Sequence, residues 1–219
     1  MLAQQYIHTD YPILHNNDKV FTALELMDTY DVRQWPVCSD VQYIGIIHKD
    51  ALLDVSENDL LSSLPIDAQV TAIKANESIF NVVKQAVAYH LNIIPVVNNQ
   101  QMLEGIVLSN DLLQILAQYM GVDTPGATLV LQMERKNYSF GEINRLVETN
   151  DAYITQLNTF FNNDIGQLEV IIKINKTEIS DIVATFQRYE YTVLYYFGEE
   201  LYANEIKDNY NNLMAYLNV

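Results

Sequence analysis

The chain has a single cysteine, Cys38, so neither an intramolecular disulfide framework nor a multi-cysteine metal site can form. On its apolar stretch Cys38 reads as a small buried hydrophobe. No run of about 18 apolar residues occurs, which excludes a transmembrane helix. Met1–Asp10 lacks both the basic cluster and the apolar stretch of a secretory leader, so a cytoplasmic protein is expected. Positive charge is also scarce: 12 Lys and Arg stand against 28 Asp and Glu, a formal net charge of −16. The deficit is even, with 5 basic and 14 acidic residues in 1–121 and 7 and 14 in 122–219. Both halves therefore carry a negative surface. That argues against nucleic acid and anionic membranes as partners, since affinity for either rests on cations that neutralise phosphate. Small anions stay within reach, because backbone amides at helix starts hold them whatever the net charge. No nucleophile–base pair, close carboxylate dyad or glycine-rich phosphate loop is visible, so no catalytic residues are expected and a non-enzymatic protein is indicated. His8, His15 and His90 share no ligand spacing with one another or with Cys38, and no metal site is expected.

What is abundant is apolar material. At 219 residues and 49% hydrophobic, the chain can build the cores of one or two domains. The first half also repeats itself. Leu14 matches Ile73, Asn17-Asp18 matches Asn76-Glu77, Val20-Phe21 matches Ile79-Phe80, and Trp35-Pro36-Val37 matches Ile94-Pro95-Val96, all at an offset of 59. Gly45-Ile46-Ile47 matches Gly105-Ile106-Val107 one residue later. Each copy predicts a short strand, an N-cap at Asn17 or Asn76 and a helix whose apolar face carries Val20, Ala23, Leu24 and Met27, or Ile79, Val82, Val83 and Ala86. A strand containing proline follows, then a polar turn, a strand opening on glycine, and a second helix start at Asp50-Ala51-Leu52-Leu53 or Asn110-Asp111-Leu112-Leu113.

This doubled β-α-β-β-α pattern over residues 1–121, with repeats at about 1–62 and 63–121, resembles a tandem pair of cystathionine-β-synthase (CBS) domains, the Bateman module. The resemblance implies two clefts of the kind that hold AMP, ADP, ATP or S-adenosylmethionine as regulatory ligands, with no cofactor required. The family pattern after the glycine is Gly-h-h-Thr/Ser-x-x-Asp. Its hydroxyl and the helix-start amides face phosphate, while its carboxylate accepts the ribose hydroxyls. In repeat two the resemblance puts Asp111 at the ribose position, with Leu108 in place of the hydroxyl and Ser109 one residue on. It puts Ile94, Pro95 and Ile73 at the adenine wall. In repeat one it puts His48 at the phosphate position and Ala51 at the ribose position, with Arg33 and Trp35 lining the first cleft. Each position has a plainer reading. Asp111 suits a helix start through capping and dipole alone, His48 suits a surface or dimer face, and Trp35 suits the core or a dimer interface.

After Gly121, Asp123-Thr124-Pro125-Gly126 reads as a linker. Beyond it, Ala127–Met133 predicts a strand, Ser139 through Glu142 a capping box opening a helix, and 152–161 and 168–174 paired strands. Thr177 is placed as the cap of a second helix carrying Ile179, Ile182, Val183 and Phe186, and 191–197 as a final strand. The order βαββαβ is that of a ferredoxin-like unit. Over residues 126–198 it resembles an ACT domain, a regulatory module that often binds amino acids. The resemblance places the effector loop at Arg135-Lys136-Asn137-Tyr138-Ser139, with Asn137 and Tyr138 as the contacts; the Asp-x-Pro-Gly usual in that loop is absent. Arg135-Lys136 otherwise reads as a solvated loop. Residues 199–219 predict an amphipathic terminal helix with a narrow apolar face, and seven of the fifteen tyrosines fall between Tyr189 and Tyr216, a composition suited to an interface.

The expected fold class is α+β: a CBS-domain pair, a ferredoxin-like ACT-like domain and a terminal helix, similar to acetoin-utilisation-type CBS–ACT proteins. The expected function is regulatory ligand sensing by a homodimer, acting on an unnamed protein partner. The alternative is a structural or protein-docking dimer module that binds no nucleotide.

Overall fold

The computed structural model describes residues 1–198; the predicted helix at 199–219 lies outside the described residues. Two compact units divide the chain, Met1–Ala117 and the residues from Gln118 onward.

The first unit carries the repeat. Its first copy comprises β1 (Leu14–His15), α1 (Val20–Thr29), β2 (Gln34–Ser39) and β3 (Gln42–His48); its second comprises β4 (Ile73–Lys74), α2 (Ile79–Tyr89), β5 (Ile93–Val97), β6 (Leu103–Leu108) and α3 (Ser109–Tyr119). The two three-stranded sheets, β1-β2-β3 and β4-β5-β6, have one topology. The register repeats too: Leu14 pairs with Val37 in parallel, and Ile73 with Val96. The central strands β2 and β5 are almost wholly buried, which explains their near-continuous apolar sequence.

The helix starts differ from expectation. α2 is capped by Ser78, whose Oγ accepts from the Phe80 amide at 3.3 Å, two residues beyond Asn76. α1 has Lys19 at its N-cap and no side-chain cap. Its first amides donate to main chain instead, Val20 N–H to Asp59 O and Phe21 N–H to Glu57 O, both at 3.0 Å. The loop that supplies those carbonyls stands where repeat one was expected to close with a helix. Only 3-10 turns form there, Lys49–Leu52 and Leu61–Ser63. Between them Asp54-Val55-Ser56-Glu57-Asn58-Asp59 has no apolar stripe, and its Ser, Asn and Asp side chains favour turns over helix.

The copies are laced together. The segment before repeat one pairs with the last strand of repeat two through a bridge from His8 to Ile106, and the segment between the repeats pairs back through Ile46 and Asp67. Core side chains cross likewise: Ile46 and Ala3 pack in the cluster of repeat two, and Ile93 and Ile106 in that of repeat one. Gln34, buried, bonds His90 O and the Asn92 amide at 2.9 and 3.2 Å, so its amide is satisfied across the repeats.

The second unit is an antiparallel sheet of order β10-β7-β9-β8, built from β7 (Ala127–Met133), β8 (Ile154–Asn162), β9 (Gln167–Ile174) and β10 (Thr192–Phe197), with α4 (Phe140–Glu148) and α5 (Ser180–Arg188) between strands. The ferredoxin-like order is thus realised. β9 alternates strictly, burying Leu168, Val170, Ile172 and Ile174, and these pack with Ile143, Leu146, Val147, Ile182 and Phe186 in one core. Ser139 caps α4, accepting from the Glu142 amide at 3.3 Å. α5 opens after Thr177, not on it. Its N-cap position is Ile179, which makes no side-chain cap bond and is 2% exposed, packed in the core of this unit.

Candidate functional site

Asp111 lies in the first turn of α3, and its Oδ2 accepts from His8 Nε2 at 2.6 Å. Next in sequence before it, Leu108, Ser109 and Asn110 line a cavity of about 170 Å³ together with Tyr11, Tyr30 and Val32. Asn92 and Asp31 complete it, and the Ser109 amide donates to Asn92 O at 2.9 Å. Tyr11, Tyr30 and Trp35 form one aromatic cluster, with ring centroids 4.7 Å apart for the tyrosines and 5.2 Å for Tyr30 and Trp35. Burial first, and then the carboxylates of Asp10 and Asp111, push the Tyr11 phenol above its ordinary value, so it stays a neutral donor. A smaller cavity of about 40 Å³ lies between His8, Tyr11, Trp35 and Gly105. The site therefore offers aromatic faces, a carboxylate at a helix start and a nearby hydroxyl. These are the parts needed to hold a flat base and a sugar.

In the second unit an open groove of about 620 Å³ is bordered by Asn137, Tyr138, Ser139 and Glu142 on one side and by Gln132, Gln167 and Tyr191 on the other. The adjoining basic pair is already engaged: Lys136 meets Glu134 at 2.7 Å, and Arg135 lies 3.7 Å over the Phe161 ring. Tyr191 packs edge-on against Phe186 at 5.4 Å. Burial, and then the charge of Glu142 together with a hydrogen bond to it, push its phenol up to about 12. Because the folded protein holds this proton more tightly than the unfolded chain, the contribution is complete below pH 10 and is lost as pH rises through about 12. Tyr191→Phe should cost about 1 kcal/mol at neutral pH. The gap in melting temperature between variant and wild type should narrow from pH 10 upward; a constant gap across that range would show that the hydroxyl makes no such bond.

A family model described as the CBS domain matches residues 3–58 and 59–118. The chain belongs to the CBS-domain family. A CBS domain pair/ACT domain protein from Thermotoga maritima is 19% identical with a TM-score of 0.50, covering 55% of this chain and 99% of that one. The CBS domains of a transcriptional regulator from Streptococcus pneumoniae are 20% identical with a TM-score of 0.48, covering 52% and 98%. CBSX2 in complex with AMP is 14% identical with a TM-score of 0.46, covering 54% and 97%. Such likeness concerns fold alone. A search of curated protein sequences finds no match. The chain is a tandem CBS protein with an additional ferredoxin-like sheet unit.

Within the CBS pair, the structure brings Asp111, Ser109 and Leu108 together and separates the rest. Ile73 and Ile94 are 6% and 0% exposed in the core of repeat two, and Pro95 is buried beside them, so none of the three walls the cavity at Asp111. That wall comes from repeat one. Trp35 is 1% exposed and belongs to the core of repeat one, with its Nε1 donating to Pro12 O at 3.3 Å. Arg33 is exposed and paired with Asp50 at 2.9 Å. His48 lies 3.9 Å from Asp67, 59 positions after His8, so each lacing segment brings one half of a histidine–carboxylate pair, in opposite order. Cys38 is buried as expected, and burial pushes its thiol up to about 11, leaving it unreactive at neutral pH. His8, Tyr11 and Tyr30 were invisible as site residues because they stand outside the family motif; the crossing of the N-terminal segment onto β6 brings His8 there with Tyr11 following it, and Tyr30 comes from the C-terminal end of α1. Among the described residues no group of His, Cys, Asp and Glu gathers as for a metal ion, and no helix is long and apolar enough to cross a membrane.

Proposed function

We propose that this protein is a non-enzymatic regulatory sensor that takes an adenosine-type ligand at Asp111 and works as a cytoplasmic homodimer upon a protein partner. The observation that carries this reading is that Asp111 directly follows Ser109 and Asn110 on the rim of a cavity walled by Tyr11 and Tyr30, with its carboxylate close enough to act on the Tyr11 phenol. The aromatic faces suit a purine, and a carboxylate accepting from ribose hydroxyls forms charge-assisted bonds. Asp31 lines the same cavity and Asp10 faces Tyr11, so adenosine, AMP or the cationic S-adenosylmethionine should outcompete magnesium-free ATP. Regulation follows if the ligand prefers one arrangement of the dimer over another.

Calorimetric titration tests this. Asp111→Asn keeps the shape but removes the charge. Charge-assisted bonds contribute about 1.5–3 kcal/mol, so adenosine affinity should fall roughly tenfold to a hundredfold. Equal binding by wild type and variant would remove Asp111 from the site. In the ACT-like unit, the groove beside Asn137 and Tyr138 is the place for a second small ligand, tested by amino-acid titration. The alternative reading, a docking module with closed clefts, draws on the imidazole already resting on Asp111. It gains if wild type and His8→Ala both ignore adenosine, AMP and S-adenosylmethionine.

A further inference from the structure

We infer that His8 is an internal occupant of the Asp111 carboxylate, a clasp that holds the N-terminal segment over the cleft and that a ribose-bearing ligand must displace. The inference rests on the ribose role proposed above for Asp111. Its geometry stands apart from any ligand. Nε2 of His8 donates to Oδ2 of Asp111 at 2.6 Å, across 103 residues of sequence. The ring lies edge-on to Tyr11 with centroids 5.9 Å apart, so the clasp touches both the carboxylate and the aromatic wall. The side chains are 39% and 34% exposed, open enough for a ligand to compete. The main chain of His8 is held independently, its N–H donating to Ile106 O at 2.8 Å and its C=O accepting from Ile106 N–H at 3.0 Å. The imidazole can therefore leave Asp111 without carrying the bridge with it, but once that anchor is lost only the two Ile106 bonds hold the main chain at His8, and the segment opens more often. With the imidazole seated on Oδ2, a sugar diol that spans both carboxylate oxygens must share Oδ2 with His8 or take its place, and taking its place costs that bond.

Replacing His8 tests this. His8→Ala removes the competitor without touching the backbone bridge, and should tighten adenosine binding about three- to tenfold. His8→Gln, whose amide can still donate, should bind as wild type does. Adenine, which has no ribose, should bind wild type and His8→Ala alike. In the Asp111→Ala background, which leaves no acceptor for the imidazole, His8→Ala should change nothing. Adenosine binding by His8→Ala equal to or weaker than wild type overturns the clasp as a gate. Amide exchange across residues 6–10 gives a readout free of ligand: His8→Ala and Asp111→Ala should each quicken it, and the double variant should add nothing further. Unchanged exchange in both single variants overturns the clasp itself. Quickened exchange with no adenosine binding by any variant supports the clasp and overturns the ribose role of Asp111.

Discussion

Trp35→Ala should be among the most destabilising single substitutions in the CBS pair, at about 3–5 kcal/mol. The indole is 1% exposed, sits within the core cluster of repeat one, and stacks at a tilt with Tyr30 and Tyr11. Truncation would leave a large void lined by side chains that α1 and β2 hold in place, so collapse can recover little of the lost contact. The bond to Pro12 O would go too, freeing the turn that carries Tyr11. Two effects should appear together in one variant: a lowered unfolding midpoint and a weakened adenosine site. Since Trp35 is the sole tryptophan, circular dichroism or calorimetry must follow unfolding. Trp35→Phe, which keeps the ring but not the N–H, should lose clearly less. A loss below about 1 kcal/mol for Trp35→Ala would contradict the buried placement.

Gly105→Ala is the second large effect. Gly105 lies at φ +154°, and a Cβ there would stand 2.4 Å from both the His8 carbonyl oxygen and Ile7 Cγ2. The Ile7 side chain could turn aside, but the His8 carbonyl is backbone and cannot. The methyl must push the N-terminal segment off β6, breaking both hydrogen bonds between His8 and Ile106 and unseating the buried Ala3. A loss of roughly 2–4 kcal/mol is expected, with the Ile106 amide exchanging far faster than in wild type. Gly45 repeats the arrangement against Asp67 and Ile66 at 2.7 Å, so Gly45→Ala should act alike. Gly141, with no atom within 4 Å of its would-be Cβ, is the control: inside α4, Gly141→Ala should be neutral or stabilise by up to about 1 kcal/mol. Gly105→Ala as stable as wild type would mean that the segment does not lie on β6.

Taken alone, the sequence determined whatever depends on local pattern. The offset of 59 between Leu14 and Ile73 reappears as one strand register in two sheets, because each copy must bury the same apolar rows. The strict alternation of β9 and the apolar stripes of α4 and α5 placed the ferredoxin-like core, since periodicities of 2 and 3.6 state directly which side chains face inward. Asp111 at a helix start was legible for the same reason. What surrounds Asp111 was not. Ile94 and Pro95 follow the family pattern, yet Ile94 is spent on the core of repeat two and Pro95 is buried beside it. The cavity wall comes from Tyr11 and Tyr30, and the carboxylate's partner from His8, all of them about 80 to 103 positions away. Helix caps went the same way: α1 begins where distant carbonyls of residues 57 and 59 satisfy its amides, which no neighbouring side chain announces. Pairings across such distances form only when the N-terminal and inter-repeat segments each cross to the sheet of the other copy. That crossing is chosen by the burial the two copies achieve together, so only the tertiary structure could decide it.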